Sequence, residues 1–266
     1  MRTRYSQNFL VRPQTARKIT DALGLAPGDP VLEIGPGRGI LTQFLLDAGA
    51  SVTAVEIDAL LAEALEERWR GKAGFRVIRK DFLDLALSDL SFPGGKIDVI
   101  GNLPYAVTSP ILQKVLEWPH WRRAVFMVQK EVADRIRSKP GSKDYSVLTV
   151  SVQSRASVEK LFDVAPGSFK PAPKVTSTVI RLTPLQKPLF APEEEGMFFR
   201  TAKAAFAQRR KMAVNSISRT LKIPPDKARE ALTRCGLSPT ARAETISVGD
   251  FARLARVLSG DTPLNS

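Results

Sequence analysis

The chain has 266 residues, 43% hydrophobic and 25% charged, which fits a soluble globular protein of one large and one small domain. One cysteine (Cys235) and one histidine (His120) exclude an internal disulfide and a Cys₄ or Cys₂His₂ zinc site within one chain; they also argue against Cys–His chemistry, and no metal is expected. A net charge of +13 and a pI near 10.1 favour an anionic partner, most simply a nucleic acid.

Residues 1–20 hold Arg2, Arg4, Arg12, Arg17 and Lys18 and no acid. Met1-Arg2-Thr3-Arg4 leads into polar residues rather than an apolar core, and no apolar run is long enough for a membrane, so a cytoplasmic protein is expected. Pro13 opens a helix with Ala16, Ile19, Ala22 and Leu23 on its buried face, ended by Gly24 and Pro27-Gly28. Strands and helices then alternate: strand Val31–Ile34, a helix with Leu41–Leu46, strand Val52–Val55, helix Leu60–Trp69 and strand Phe75–Ile78. Strand Ile97–Ile100, a helix from about Pro110 to Glu117, strand Ala124–Val128 and helix Glu131–Arg137 follow. Such short, apolar, β-branched runs suit parallel strands covered on both faces, and the alternation predicts an α/β, doubly wound sheet with right-handed crossovers.

The pattern changes after Tyr145. Val147–Val152 is ambiguous between helix and strand. Val158–Val164 and Val175–Leu182 read as strands joined by a loop too short for a crossover helix, which predicts an antiparallel pair at the end of the sheet. Pro184–Pro192 reads as a linker, which divides the chain into domains at 1–183 and 184–266. The tail reads as helices over about Gly196–Leu221, Pro225–Cys235 and Val248–Leu258. Its 83 residues hold 14 basic and 8 acidic side chains, and Arg200 to Lys222 contains seven Lys/Arg and no acid. Lys203 and Arg210 intrude on the apolar face of the first of these helices, which marks either a broken helix or cations facing a nucleic-acid cleft.

The motifs lie at strand ends. Gly35-Pro36-Gly37-Arg38-Gly39 follows the first strand, a turn whose glycines let backbone N–H groups approach a nucleotide-like ligand, although a tight turn without ligand has the same pattern. The spacing departs from the dinucleotide fingerprint, because the next position is Ile40, and this disfavours a dinucleotide oxidoreductase. Glu56 ends the second strand in Val55-Glu56-Ile57-Asp58, where a carboxylate can accept both ribose hydroxyls; Asp58 suits an N-cap. Asp81, in Lys80-Asp81-Phe82, either caps a turn or accepts the amino group of an adenine flanked by Phe82.

The antiparallel ending of the sheet resembles the class I methyltransferase fold, a seven-stranded, mostly parallel Rossmann-like sheet whose ligand is S-adenosylmethionine. Gly101-Asn102-Leu103-Pro104-Tyr105, directly after the fourth strand, sharpens this. An exocyclic adenine amine is a poor nucleophile because its lone pair is delocalised into the ring. Acceptors on its two hydrogens localise that pair, and the Asn102 side-chain oxygen and the Pro104 carbonyl are the expected ones. Tyr105 can stack on an extruded base, and in-line displacement at a methyl group depends on positioning more than on a strong base.

Taken together, the motifs are similar to those of the bacterial small-subunit rRNA adenine N6,N6-dimethyltransferases. They comprise Gln7–Leu10, Val31–Gly39, Val55–Asp58, Gly101–Pro110, Val128–Ala133, Pro140–Lys143, Phe169–Val175 and Ala205–Lys211. The resemblance covers nearly the whole chain. It implies cofactor contacts at Asn8, Leu10, Gly35, Glu56, Asp81 and Asn102, to which Gly37, Ile57 and Phe82 are added as neighbours. It implies catalysis by Asn102, Pro104 and Tyr105, base handling by Tyr105 and Phe169, and RNA binding by a helical C-terminal domain carrying Arg209, Arg210 and Lys211. The implied substrate is a pair of adjacent adenosines in the 3′-terminal stem-loop of 16S rRNA, each dimethylated by a monomeric enzyme acting on a small-subunit precursor during assembly. Ser6, Ala106-Val107-Thr108-Ser109 and Ser146 depart from the family pattern without removing a group named above. The competing readings are a 23S rRNA adenine methyltransferase of the macrolide-resistance type, a methyltransferase for protein glutamine or DNA adenine, and a non-catalytic RNA-binding assembly factor.

Overall fold

A computed structural model describes residues 8–90, 92, 95–208 and 210–261. In chain order the first unit contains β1 (Phe9–Leu10), α1 (Pro13–Asp21), β2 (Pro30–Ile34), α2 (Ile40–Asp47), β3 (Ser51–Glu56), α3 (Ala59–Arg68) and β4 (Phe75–Arg79). Then come β5 (Ile97–Asn102), α4 (Thr108–Glu117), β6 (Trp121–Gln129) and the start of α5 (Lys130–Ile136). After α6 (Val147–Gln153) the chain returns as β7 (Ala156–Val164), β8 (Phe169–Lys170) and β9 (Ser177–Pro184). Seven strands form one sheet in the order β4-β3-β2-β5-β6-β9-β7. Neighbours from β4 through β6 are parallel, and β9 runs antiparallel to β6. The expected antiparallel ending is there, with the last strand in sequence inserted between β6 and β7. This is the class I methyltransferase sheet.

The apolar runs fold as parallel strands because both faces are covered: Val31, Leu32, Val99, Ile100, Val125 and Phe126 are all fully buried. Asp98 is the exception in β5. Its carboxylate is fully buried and accepts Arg122 at 2.7 Å and Arg123 at 3.1 Å, so two guanidinium groups satisfy one buried charge. A second, two-stranded sheet goes beyond the sequence reading. Phe9–Leu10 pairs antiparallel with Phe169–Lys170, and the Val11 N–H donates to the Ser168 carbonyl at 2.9 Å. His120 lies edge-on to Trp118 and hydrogen-bonds the Gly95 carbonyl through Nδ1, a packing role.

The division between units differs from a single boundary at 183/184. One compact unit comprises Met1–Ala133 and Ser157–Pro184; the other comprises Asp134–Ala156 and Leu185–Ser266. Residues 134–156 fall with the C-terminal helices because Tyr145 and Val150 are buried in the same apolar cluster as Phe198, Ile217, Leu232 and Phe251. The ambiguous Val147–Val152 run is helix α6. Thr149 Oγ1 donates to the Arg135 carbonyl, and the Gln153 amide to those of Ile136 and Ser138.

The second unit continues with α7 (Glu195–Phe206), α8 (Ala213–Leu221), α9 (Pro225–Arg234) and α10 (Val248–Asp261). The single helix expected over Gly196–Leu221 is therefore two. The break carries Gln208, Arg210 and Lys211. It is held by Ser216, whose hydroxyl donates to the Ala204 carbonyl and accepts the Gln208 N–H. Met212 is extended, which starts α8 afresh. Among the described residues no helix is long and apolar enough to cross a membrane, and no group of three or more His, Cys, Asp or Glu could hold a metal ion.

Candidate active site

Parallel strands β4, β3, β2 and β5 end side by side, and each leads into a loop with an expected site residue. After β2, Gly35, Gly37 and Gly39 all have positive φ (64°, 57° and 75°), which side chains rarely tolerate. The glycine amides of this turn are bonded within the protein. Gly35 N–H donates to the Val55 carbonyl, Gly39 N–H to the Pro36 carbonyl, and Gly37 N–H to Glu56 Oε2, each at 2.9 Å. What the glycines supply is close backbone approach: a Cβ at Gly35 would meet nothing within 4 Å. Phe9 packs against Gly37 and lies beneath the Arg38 guanidinium, 4.8 Å from the ring centre.

Glu56, at the end of β3, is 1% exposed. Besides Gly37 N–H it accepts the Asp58 N–H at 3.0 Å, so it ties the glycine turn to the next loop. Burial pushes its carboxyl above the ordinary range, and the N–H groups of Asp58 and Gly37 oppose this. Asp58 caps α3 through the N–H groups of Leu60 and Leu61. Asp81, after β4, caps a short turn, its Oδ1 accepting the Leu83 N–H at 2.8 Å.

Glu33, inside β2, escapes sequence reasoning as a site residue, because within an apolar strand it reads only as an interruption. It is fully buried; Oε2 accepts Thr42 Oγ1 at 2.6 Å, and Oε1 has no partner. Desolvation pushes its carboxyl up to about 7 against the pull of Thr42, and neighbouring Glu56 adds to the rise.

After β5, the Asn102 Nδ2 donates to the Asn8 carbonyl at 3.0 Å. This leaves Oδ1 as the amide atom available to another donor. Tyr105 OH lies 3.0 Å from Ser177 Oγ. The expected role of the Pro104 carbonyl needs correction. It already accepts Thr108 Oγ1 at 3.0 Å and the Val107 N–H at 3.2 Å, because the turn into α4 uses it as a cap. Among the described residues no hydrogen bond reaches the Leu103 carbonyl of the same turn.

Two adjoining clefts collect these residues. The first is lined by Asn8, Leu10, Glu33, Gly35, Gly37 and Asn102 among others. The second is lined by Glu56, Ile57, Asp81, Phe82, Lys80 and Ile111 among others. Gly35, Pro104 and Tyr105 line both. Phe169 lines neither. It is 3% exposed and packed with Leu10, Met127 and Val179, so stacking on a base requires it to move out of this core. Arg210 and Lys211 belong to the second unit, and Arg209 lies outside the described residues.

A doubly wound sheet with a glycine turn, an acidic group after its neighbouring strand and an amide–aromatic turn after the next defines a class I methyltransferase. The family model for ribosomal RNA adenine dimethylase matches residues 1–259, and the chain belongs to that family. It is an enzyme whose methyl donor is S-adenosylmethionine. Proteins named ribosomal RNA small subunit methyltransferase A are similar to it throughout. That of Desulfitobacterium hafniense is 43% identical, covering 92% of this chain and 87% of its own. That of Myxococcus xanthus is 41% identical, covering 100% and 94%. Among solved structures, a dimethyladenosine transferase from Plasmodium falciparum superposes with a TM-score of 0.78 at 26% identity, covering 92% and 95%. The 23S rRNA methyltransferase ErmE superposes with 0.70 at 30% identity, covering 95% and 100%.

The residues present fit this donor. Its sulfonium and ammonium charges suit clefts lined by Glu33, Glu56 and Asp81, one of them with an orphaned buried oxygen. Its flat adenine suits the slot with Ile57 and Phe82.

Proposed function

We propose that the chain transfers methyl groups from S-adenosylmethionine to the exocyclic N6 of two adjacent adenosines in the 3′-terminal stem-loop of 16S rRNA. Each adenosine receives two, on a precursor of the small subunit, in the cytoplasm and with the enzyme as a monomer. The observation that carries this reading is the Asn102 amide, held by the Asn8 carbonyl with its oxygen free, in the lining of the first cleft and next to the turn that lines both.

In this reading Glu56 takes the ribose hydroxyls, Asp81 the adenine amino group, and Ile57 and Phe82 the adenine faces. Asn8, Leu10, Gly35 and Gly37 form the floor against the methionyl end, and the Glu33 oxygen faces its ammonium. The bound donor supplies an electrophilic methyl group on sulfur. Asn102 Oδ1 accepts one hydrogen of the target N6, and the unused Leu103 carbonyl, in place of the Pro104 carbonyl, accepts the other. Both acceptors draw the N6 hydrogens out of the ring plane, which makes N6 more pyramidal and localises its lone pair for attack. Tyr105, fixed by Ser177, stacks on the base. In the transfer the methyl carbon's bond to sulfur would break with its electron pair left on sulfur, N6 would carry the positive charge, and its proton would leave along one of these two hydrogen bonds to water. The second unit, with Arg210 and Lys211 in the turn after α7 and Arg209 beside them in sequence, holds the RNA.

The test is to incubate the protein and labelled donor with small and large ribosomal subunits that lack the modifications, and to map the labelled bases. Label on two adjacent adenosines near the 3′ end of 16S rRNA is expected. Label on 23S rRNA instead would favour the other reading, for which the likeness to ErmE speaks. Asn102→Ala should lower the transfer rate by roughly 10²–10⁴-fold with RNA binding kept. Full activity in that variant overturns the mechanism, and no transfer to any rRNA by the parent chain leaves an assembly factor.

A further inference from the structure

Helix α4 begins directly after the Asn102–Tyr105 turn, and residues three apart on it meet different parts of the site. Thr108 Oγ1 donates to the Pro104 carbonyl. Ile111 lines the second cleft. Lys114, one turn further, donates from Nζ to the Leu83 carbonyl at 2.6 Å and lies 5.6 Å from the centre of the Phe82 ring. Residues spaced this way share a side of a helix.

The loop that Lys114 reaches holds the expected adenine contacts. Asp81 and Phe82 line the second cleft, and Leu83 is gripped from two sides, its N–H by the Asp81 carboxylate and its carbonyl by the Lys114 ammonium. Desolvation lowers the Lys114 amine below its ordinary range; Asp84 and Asp81 oppose this, and Lys80 adds to it. Lys114 is half-buried, and a long side chain held on one carbonyl and one ring, rather than left free in solvent, gives up rotamer freedom to keep this loop in one place.

We propose that Lys114 is a positioning residue for the adenine end of the cofactor, bracing the Asp81–Leu83 loop against the helix that also fastens the Pro104 turn. The proposal rests on the reading that the second cleft takes the adenosine moiety. Without Lys114 the Leu83 carbonyl loses its donor and the Phe82 ring one of its neighbours. Asp81 then samples positions that no longer meet an adenine amino group, while Asn102 and Tyr105 stay where they are.

The test uses full-length Lys114→Met, Lys114→Arg and Asp81→Asn. Free adenosine is the competitive inhibitor, since it binds through the nucleoside alone. Lys114→Met should raise KM for S-adenosylmethionine and weaken adenosine inhibition by about tenfold each, with kcat and the KM for RNA unchanged. Lys114→Arg keeps a cationic donor and should recover most of the loss. If Lys114→Met does not fold, Lys114→Gln is measured in the same way. If Asp81→Asn weakens adenosine inhibition and the Lys114 variants do not, the proposal is overturned. A fall in kcat and thermal stability with unchanged KM overturns it too, as a merely structural role. If Asp81→Asn itself leaves adenosine inhibition intact, the adenine reading of the cleft is overturned first.

Discussion

Glu33→Gln should stabilise the ligand-free enzyme at pH 8 and leave it nearly unchanged at pH 5. The Glu33 carboxyl is fully buried, with one oxygen bonded to Thr42 and the other unpartnered, and burial lifts it from 4.5 to about 7. Below pH 4.5 the group is protonated in both folded and unfolded chains. Between 4.5 and 7 the folded chain keeps a proton that the unfolded chain has released, so stability falls as pH rises. Across that window the fall is about 1.4 kcal/mol per pH unit, so about 3 kcal/mol is lost by pH 7 and stays lost above it. Glutamine is neutral at every pH, and its carbonyl can still accept the Thr42 hydroxyl. The difference between variant and parent isolates this one group. Thermal unfolding at fixed ionic strength without cofactor reads it out. At roughly 2–4 °C per kcal/mol for a domain of this size, Glu33→Gln should melt some 6–12 °C above the parent at pH 8. An offset that is the same at pH 5 and pH 8, or absent at both, refutes the assignment of a buried ionisation to Glu33.

Gly39 heads α2 with φ 75°, and a Cβ there would lie 2.5 Å from the Trp69 ring and 2.8 Å from Leu65. Gly39→Ala should therefore cost about 1–3 kcal/mol in urea unfolding. In the second unit, replacing Arg210 and Lys211 by glutamine should weaken RNA binding at low salt. It should make the dependence of log K on log salt shallower by about 2, because two phosphates are no longer neutralised. An unchanged slope means that the protein meets the phosphates elsewhere.

The part of the site legible in the sequence is the part that follows a strand. Short β-branched runs identify β2 to β6, and ligands of such sheets sit beyond the carboxyl ends of the strands, so Gly35, Glu56, Asp81 and Asn102 can be picked by position alone. Interactions across long sequence distances are not legible. Nothing in Asn8-Phe9-Leu10 announces a strand whose partner lies at Phe169-Lys170; only the family resemblance points to Asn8 and Leu10. Nor is it legible that Val55, Pro36 and Glu56 take the N–H groups of Gly35, Gly39 and Gly37. The role expected of the Pro104 carbonyl fails because Thr108, four residues on, doubles as its donor. A boundary at 183/184 puts residues 134–156 in the wrong domain, because Tyr145 and Val150 pack with Phe198 and Phe251, far along the chain. The break after α7 does leave a trace: Arg210, a cation on the apolar face of one continuous helix, lies instead in the turn, while Lys203 stays in α7 and is exposed.

The Asn8 contact explains how an amide can serve as a one-sided acceptor. Asparagine offers an oxygen and an NH₂ of nearly equal shape. Only the oxygen helps a target amine, since the NH₂ turned inward would donate to the lone pair that must attack. In solution a half-turn about χ2 is nearly free. Here the turn would bring Oδ1 against the Asn8 carbonyl, two acceptors face to face, and lose the 3.0 Å bond from Nδ2. Losing such a bond and leaving its partner unmatched costs about 1–3 kcal/mol, enough to keep the oxygen outward in most molecules. The Asn8 carbonyl stays in place because Phe9 and Leu10 are paired with β8, Val11 is bonded to Ser168, and Phe9 is clasped by Arg38 and Gly37. Asn8, 94 residues before Asn102 and anchored by the first strand, thus orients the group proposed to activate the target amine, and a two-residue strand is sufficient for that purpose.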